Sequence, residues 1–244
     1  MNRRLTIQRW DPARDRDSQY DRWEIEVEPQ ERVLDALNRI KWTKDGSLSF
    51  RQSCAHGVCG SCAVRINGRC ALACQTLIGT LTEGEILIEP LPHFRVLKDL
   101  IVDLDPFFER VARVRPFLIS LAEPSAGERL QSPGDRRQID QVIRCILCAT
   151  CVGACPTLDD HPAFLGPAPL VQAFRQVFDS RDEARDSRLA QLDDPDGVWG
   201  CVNKFECTRV CPKEIPVTKS INQIKRALEK AGPEDPDPPA GPKD

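Results

Sequence analysis

No stretch of this 244-residue chain approaches the roughly 20 consecutive apolar residues that a membrane helix needs, so any membrane contact has to come through partners or through the protein surface. The N-terminus, Met1 to Trp10, offers no apolar core for a signal peptide or a twin-arginine leader. With twelve cysteines this predicts a reducing, cytoplasmic location rather than a secreted disulfide scaffold. Charge of one sign is lacking as well: 34 Lys and Arg against 37 Asp and Glu leave a net charge of -3, which argues against a dedicated nucleic-acid binder. Nor does any residue stand in a pattern that reads as a catalytic acid, base or nucleophile. The length suits two domains, and 41% apolar residues are enough for two modest cores.

What the chain does have is cysteine in ordered runs. Arg144 to Pro156 reads R-C-I-L-C-A-T-C-V-G-A-C-P and places Cys145, Cys148, Cys151 and Cys155 at C-x2-C-x2-C-x3-C-P, the bacterial ferredoxin spacing. Three thiolates on a tight loop take three corners of one iron-sulfur cube, while the fourth ligates a different cluster. One run therefore predicts a partner, and Gly200 to Pro212, G-C-V-N-K-F-E-C-T-R-V-C-P, supplies Cys201, Cys207 and Cys211. It is one cysteine short, with Lys204 where the second thiolate would stand. Cys145, Cys148, Cys151 and Cys211 are then the ligands of a 4Fe-4S cluster, and Cys155, Cys201 and Cys207 suit a cube missing one iron, a 3Fe-4S cluster. Zinc ribbons use two C-x2-C pairs and four ligands in all, which seven cysteines in two proline-terminated runs do not match.

Nearer the N-terminus, Cys54, Cys59, Cys62 and Cys74 form C-x4-C-x2-C with a fourth cysteine after eleven residues, the plant-type 2Fe-2S spacing. Gly57 and Gly60 lie between ligands, where backbone amides must approach sulfur closely. Cys70 is surplus. On an extended strand it lies about 13 Å from Cys74 at roughly 3.3 Å per residue, so one cluster cannot use both; the plant-type pattern selects Cys74 and leaves Cys70 as a small buried side chain.

Period-2 alternation predicts strands over 5–10 and 23–27 joined as a hairpin through Asp11 to Arg22, and Ile86 to Glu89 as a closing strand. Asn67-Gly68 is a hairpin turn signal. Val33, Leu34, Leu37 and Ile40 predict a helix from Glu31 to about Trp42, stopped at Asp45-Gly46. Three- and four-residue steps between Leu91 and Phe117 predict two short helices. Leu170, Phe174, Val177 and Phe178 predict another, as do Ile221, Ile224 and Leu228, while Asp135 to Arg144 leads into the first cysteine run. Pro156 and Pro212 each follow a cysteine where they can open a helix. Residues 123–134 turn polar and rich in Pro and Gly, which sets domains at 1–122 and 123–231; the Pro- and Asp-rich tail 232–244 is predicted to be disordered.

The order of these motifs resembles the iron-sulfur subunit of succinate dehydrogenase and fumarate reductase. The likeness covers roughly residues 5–230 and extends to S-L-S-F-R-Q-S-C-A-H-G-V-C-G-S-C (Ser47 to Cys62), I-N-G with L-A-C (Ile66 to Cys74), P-L-P (Pro90 to Pro92), G-P-A (Gly166 to Ala168), D-S-R-D (Asp179 to Asp182) and C-P-K (Cys211 to Lys213). It implies an α+β chain: a β-grasp plant-type 2Fe-2S ferredoxin-like domain, then a helical domain resembling bacterial ferredoxin. It implies electron transfer, one electron at a time, from an FAD flavoprotein subunit through 2Fe-2S, 4Fe-4S and 3Fe-4S clusters to a quinone at membrane anchor subunits, which in this family can carry haem b. The chain would sit at the cytoplasmic face of the inner membrane, peripheral and held by its anchor. The rival readings are the same wire in a fumarate reductase or in a thiol- or heterodisulfide-linked reductase, and, of another class, a cluster-bearing or zinc-binding sensor.

Two departures bear on the quinone. Where ubiquinone-linked members carry paired tryptophans after the Cys-Pro, this chain has Thr157-Leu158-Asp159-Asp160-His161, and where many carry histidine after the first cysteine of the second run it has Val202. The resemblance thus places Pro156, Asp159, Asp160, His161 and Val202 near the quinone and favours menaquinone. His161 reads as a loop histidine or as a proton carrier. Lys204, at the vacant corner, would raise the cluster's potential if aimed at it and do little if turned to solvent.

Overall fold

The computed structural model describes residues 1–82, 84–120 and 127–231. Its first layer is a mixed sheet. Strands β1 (Asn2–Arg9), β2 (Gln19–Glu26), β3 (Ala63–Ile66), β4 (Arg69–Leu72) and β5 (Glu85–Glu89) lie in the order β2-β1-β5-β3-β4. The β1–β5 pairing is parallel and the others are antiparallel, which is the β-grasp arrangement the resemblance implies. Alternation sets the register: Leu5 and Ile7 point inward at 0% exposure with Ile86 and Ile88, while Arg4 and Glu85 beside them are exposed. The predicted β1–β2 hairpin forms, but its strands are longer and its connection shorter than the apolar pattern indicated, because pairing continues through the polar ends Gln19 and Tyr20.

Helix α1 (Val33–Thr43) crosses this sheet and buries Val33, Leu34, Leu37 and Ile40. Each such side chain contributes about 1.5–3 kcal/mol by leaving water. Two N–H groups, from Lys44 and Asp45, fold back on the Ile40 carbonyl and end the helix where Asp45-Gly46 was expected to.

The two helices predicted between Leu91 and Phe117 are not both there. A two-stranded ribbon, β6 (Val96–Lys98) and β7 (Ile101–Val102), replaces the first, and only α2 (Asp105–Arg113) is helical. The reason lies at Asp99, which sits in the left-handed region (φ 47°) and is 1% exposed. Its carboxylate takes Arg9 Nε at 3.0 Å, Trp10 N at 3.1 Å and Ser49 N at 2.8 Å, so a tertiary anchor overrides the helical spacing around it.

The second unit is helical, as predicted. Its helices are α3 (Pro133–Ile139), α4 (Thr150–Gly153), α5 (Thr157–Asp160), α6 (Pro167–Val177), α7 (Arg185–Leu192), α8 (Glu206–Arg209) and α9 (Val217–Ala231). Ser132 caps α3 by accepting from Asp135 N at 3.1 Å. Pro156 sits at the N-cap of α5, but Pro212 lies in a turn and α9 begins only at Val217, behind Pro216. Polar α7 went unpredicted because only Leu189 and Leu192 mark its buried face. The core of this unit also takes in Cys70, Leu91, Val102, Phe107, Val111 and Val114 from the N-terminal half, so the two units pack on one another. The expected boundary at 122/123 and the tail 232–244 lie outside the described residues.

One buried ion pair fastens the segment after α2. Arg188 and Asp182, with side chains 2% and 0% exposed, meet through Nε at 3.0 Å and Nη2 at 2.8 Å. Arg188 also donates to the carbonyls of Val114, Arg115 and Phe117. Burial alone would raise the Asp182 carboxyl; Arg188 and the N–H groups of Ile119 and Ala184 outweigh it and hold the carboxyl below its usual range. The contribution to stability is therefore complete above the ordinary carboxylate pKa and disappears as pH falls through the depressed folded value. Arg188→Met strands a buried carboxylate and is expected to cost about 3–5 kcal/mol. At roughly 2–4 °C per kcal/mol for a chain of this size, the unfolding temperature should fall by about 10 °C; a change under about 2 °C would mean that the pair does not hold this segment.

Candidate metal centres

The first group of thiols surrounds the loop before β3. Cys54 Sγ accepts the backbone N–H of His56, Val58 and Cys59 at 3.3, 3.4 and 3.3 Å. Left-handed residues Ala55, Gly57 and Gly60 turn the loop so that its N–H groups point inward at sulfur. Ser61 Oγ lies 3.2 Å from Cys59 Sγ and, with the thiols and amides beside it, brings Cys59 down to about 6. Burial pushes Cys62 up to about 12, with Cys74 and Cys59 close enough to act on its charge. All four predicted positions therefore meet on one loop and one strand end. Cys70 is 3% exposed and burial raises it to about 11, in keeping with the packing role expected of it.

The two later runs share one backbone. A 3-10 turn precedes each: Cys145 N returns to Val142 O at 3.1 Å and Cys201 N to Val198 O at 3.3 Å. Left-handed residues follow at matching places, Leu147 and Ala149 in the first run, Asn203 and Phe205 in the second. Each run then enters a four-residue helix, α4 or α8, whose last turn is closed by Cys155 N on Val152 O and by Cys211 N on Thr208 O. This repeat sets Lys204 opposite Cys148, and Lys204 is exposed.

Burial comes first in raising Cys145, Cys148, Cys151, Cys155 and Cys207, and the charges of neighbouring thiols then group them. Cys145 feels Cys148 and Cys211; Cys148 feels Cys211; Cys151 feels Cys148, Cys145 and Cys211. Cys155 feels Cys201, and Cys207 feels Cys201 and Cys155. Cys207 also acts on Cys151, where the two sets meet. Free thiols raised in this way stay protonated, whereas bound iron would hold them as thiolates. Among the described residues no three His, Cys, Asp or Glu side chains close tightly enough to hold a single metal ion. A donor set of buried thiols with inward amides, spread around more than one point, fits iron-sulfur clusters.

The residues expected near the quinone divide. Asp160, His161 and Val202 line a cavity of about 440 Å³ with Thr157, Pro195 and Trp199. Pro156 and Asp159 line a separate cleft between the two units, beside Arg69, His93, Cys155 and Arg209. His161 Nε2 pairs with Asp196, whose backbone carbonyl also accepts Leu165 N at 2.6 Å, so this histidine is held by its neighbours. Sequence reasoning passed over two residues here. Trp199, two places before Cys201, donates from Nε1 to Asp193 at 2.6 Å, and Lys225 Nζ lies 5.5 Å over its ring while donating to the Cys201 carbonyl at 2.7 Å. The indole was visible in V-W-G-C; the lysine, 24 residues away on α9, carried no signal.

Comparison with known proteins follows this division. Residues 4–109 match the family described as 2Fe-2S iron-sulfur cluster binding domain, and residues 141–215 match the 4Fe-4S dicluster domain. The succinate dehydrogenase iron-sulfur subunit of Paracoccus denitrificans is 40% identical over 228 residues, 93% of this chain and 88% of that protein. The chain belongs to the succinate dehydrogenase iron-sulfur subunit family. A chain of the Mycobacterium smegmatis Sdh1 complex in the apo form superposes with TM-score 0.83 at 26% identity, covering 96% of this chain and 98% of that one. A hypothetical protein from Helicobacter pylori shares the fold at TM-score 0.58 and 16% identity, over 41% of its length. As a member of the succinate dehydrogenase iron-sulfur subunit family, the chain is an electron-transfer component of an oxidoreductase complex, with 2Fe-2S and 4Fe-4S domains.

One close approach between the two domains lies at Gly60. Gly60, between Cys59 and Cys62, lies so close to the first later run that an added Cβ would fall 2.7 Å from Cys148 Cβ and 2.8 Å from its Cα. Gly68 makes a useful control, since its φ of +80° matches Gly60's +74° but nothing lies within 4 Å of its Cβ position. Gly68→Ala should cost only about 1–2 kcal/mol for its left-handed backbone. Gly60→Ala should cost clearly more, and release iron on gentle heating at which Gly68→Ala retains it. Equal losses in unfolding temperature and iron would show that the contact with Cys148 is not tight.

Proposed function

We propose that this chain is the electron wire of a membrane-bound succinate dehydrogenase that reduces menaquinone. Cys54, Cys59, Cys62 and Cys74 hold a 2Fe-2S cluster, Cys145, Cys148, Cys151 and Cys211 a 4Fe-4S cluster, and Cys155, Cys201 and Cys207 a 3Fe-4S cluster. When bound, these clusters supply one-electron redox chemistry between a two-electron flavin reaction and a quinone. The chain's own residues fix the order of the three sites, exclude water from the buried thiolates and set charge and hydrogen bonds around them.

The single observation that carries the reading is the repeated backbone of the two runs, each lending its last cysteine to the other's thiols. That exchange supports two multi-iron sites side by side, and the close approach of Gly60 to Cys148 supports a 2Fe-2S loop beside one of them. Both ends of the wire have surface for partners. Val58 is 61% exposed beside Cys59, which suits a flavoprotein subunit carrying FAD; Val202 and Phe205 are 58% and 50% exposed around Cys201, which suits the membrane anchor with its quinone and haem b. Among the described residues no helix is long and apolar enough to cross a membrane, so attachment at the cytoplasmic face would rest on that anchor. His161, Asp160, Val202 and Trp199 form the cavity wall on that side.

The complex purified with this chain should couple succinate oxidation to reduction of a menaquinone analogue faster than to a ubiquinone analogue; the reverse preference would overturn the choice of quinone, and no succinate-dependent reduction of either would overturn the function. Lys204 tests the cluster assignment. Because it stands opposite Cys148 in the repeat, Lys204→Cys is expected to add one iron per chain and to abolish the oxidised-state EPR signal of a 3Fe-4S cluster. Unchanged iron content would show that position 204 does not face the vacant corner.

A further inference from the structure

Sulfur ligands in this chain receive hydrogen bonds in two ways. Cys54 takes three backbone N–H groups and Cys211 takes Ile215 N at 3.4 Å, both from the loop that carries the ligand. Cys148 takes a hydroxyl from Thr150, two residues on, at 3.2 Å. The second run cannot copy that bond: its counterpart of Cys148 is Lys204 and its counterpart of Thr150 is Glu206. Its donor is brought instead from α9, where Thr218 Oγ1 lies 3.4 Å from Cys207 Sγ. Cys151, the counterpart of Cys207 in the first run, has no hydroxyl donor among the described residues.

The contacts around Thr218 have only one consistent direction. Thr218 N donates to Thr208 Oγ1 at 3.0 Å, so Thr208 accepts there and has its own proton to give. The two hydroxyl oxygens are 3.1 Å apart. A cysteine that ligates iron is a thiolate and can only accept. Thr218 must therefore donate to Cys207, and Thr208 must donate to Thr218. The chain runs from the Thr218 amide to Thr208, back to the Thr218 hydroxyl and on to sulfur. Both Thr218 and Cys207 are buried, at 1% and 8% exposure, so water does not compete for these bonds. The amide that starts the chain belongs to the first turn of the 15-residue helix α9, whose positive end adds in the same sense.

We propose that Thr218, polarised by Thr208, is a positioning residue that sets the reduction potential of the 3Fe-4S cluster. The proposal rests on the assignment of Cys155, Cys201 and Cys207 to that cluster. In the reduced state of such a cluster Cys207 sulfur would carry more charge, and the Thr218 hydroxyl bond to it would be stronger. No proton is transferred and no covalent bond changes. The reduced state gains more than the oxidised state, so the potential rises and transfer toward the quinone end of the wire is favoured. Nothing in the sequence announces the pairing, because Thr208 and Thr218 are ten residues apart and meet only through the turn after Pro212.

Redox titration of the purified complex, followed through the oxidised-state EPR signal, tests it directly. Thr218→Val keeps the volume and removes the donor. The reduced-to-oxidised ratio at fixed ambient potential should fall by about tenfold, which is 59 mV for a one-electron couple. Thr218→Ser should stay close to the parent, and Thr208→Val should shift the same way by less. A parent potential in Thr218→Val, with iron content and signal shape unchanged, overturns the proposal. Should Thr218→Val lose the cluster on assembly, Thr208→Val decides, and no shift there overturns it equally. A parent complex that shows no such signal would instead overturn the cluster assignment beneath it.

Discussion

Burying many thiols in a chain of 244 residues is tolerable only when something positive compensates them as they ionise. Burial raises Cys62, Cys145, Cys148, Cys151, Cys155 and Cys207, so these groups stay neutral by themselves. Bound iron would reverse this by holding them as thiolates, and the free energy of binding would become free energy of folding. The local structure of the runs makes sense on those terms. Helices α4 and α8 are four residues long, far below what an isolated helix needs in water, and they carry left-handed residues, Ala149 and Phe205, at their starts. Neither feature is favourable until the thiols are bound and α6 and α9 are packed behind them.

The exchange of last cysteines ties that chemistry to the architecture. In the proposed assignment Cys155 joins the thiols of the second run and Cys211 those of the first, so each site would staple together segments about fifty residues apart in sequence. The helical unit in turn fastens to the sheet through Gly60 against Cys148 and through a core that includes Cys70, Leu91 and Phe107. Arg188 and Asp182 hold the connecting segment from the far side. The proposed wire would be exposed at its two ends, at Val58 and at Val202 with Phe205.

Most of this was legible in the sequence because the ligands come in short runs with fixed spacing. The sheet's alternation, helix α1, the missing thiol at Lys204 and the surplus status of Cys70 all follow from local pattern. Failures came where a distant residue decides the outcome. Asp99 breaks an apolar stretch that reads as helix because Arg9, Trp10 and Ser49 hold its carboxylate. Lys225 reaches both the Cys201 carbonyl and the face of Trp199 from α9, far along the chain. Thr218 reaches Cys207 across a turn. Four of the five positions expected near the quinone lie within residues 156–161 and yet divide between two cavities, because α5 turns Asp159 toward His93 and Asp160 with His161 toward Trp199 and Val202.

The most direct measurement is EPR on the anaerobically purified protein, oxidised and then reduced stepwise, with iron and acid-labile sulfide counted on the same sample. Three clusters of different nuclearity predict roughly nine irons and ten sulfides per chain, an oxidised-state signal typical of 3Fe-4S and two further signals on reduction. Ten irons with a silent oxidised state would mean that a non-cysteine group completes a second cube, and zinc in place of iron would contradict the account at its root.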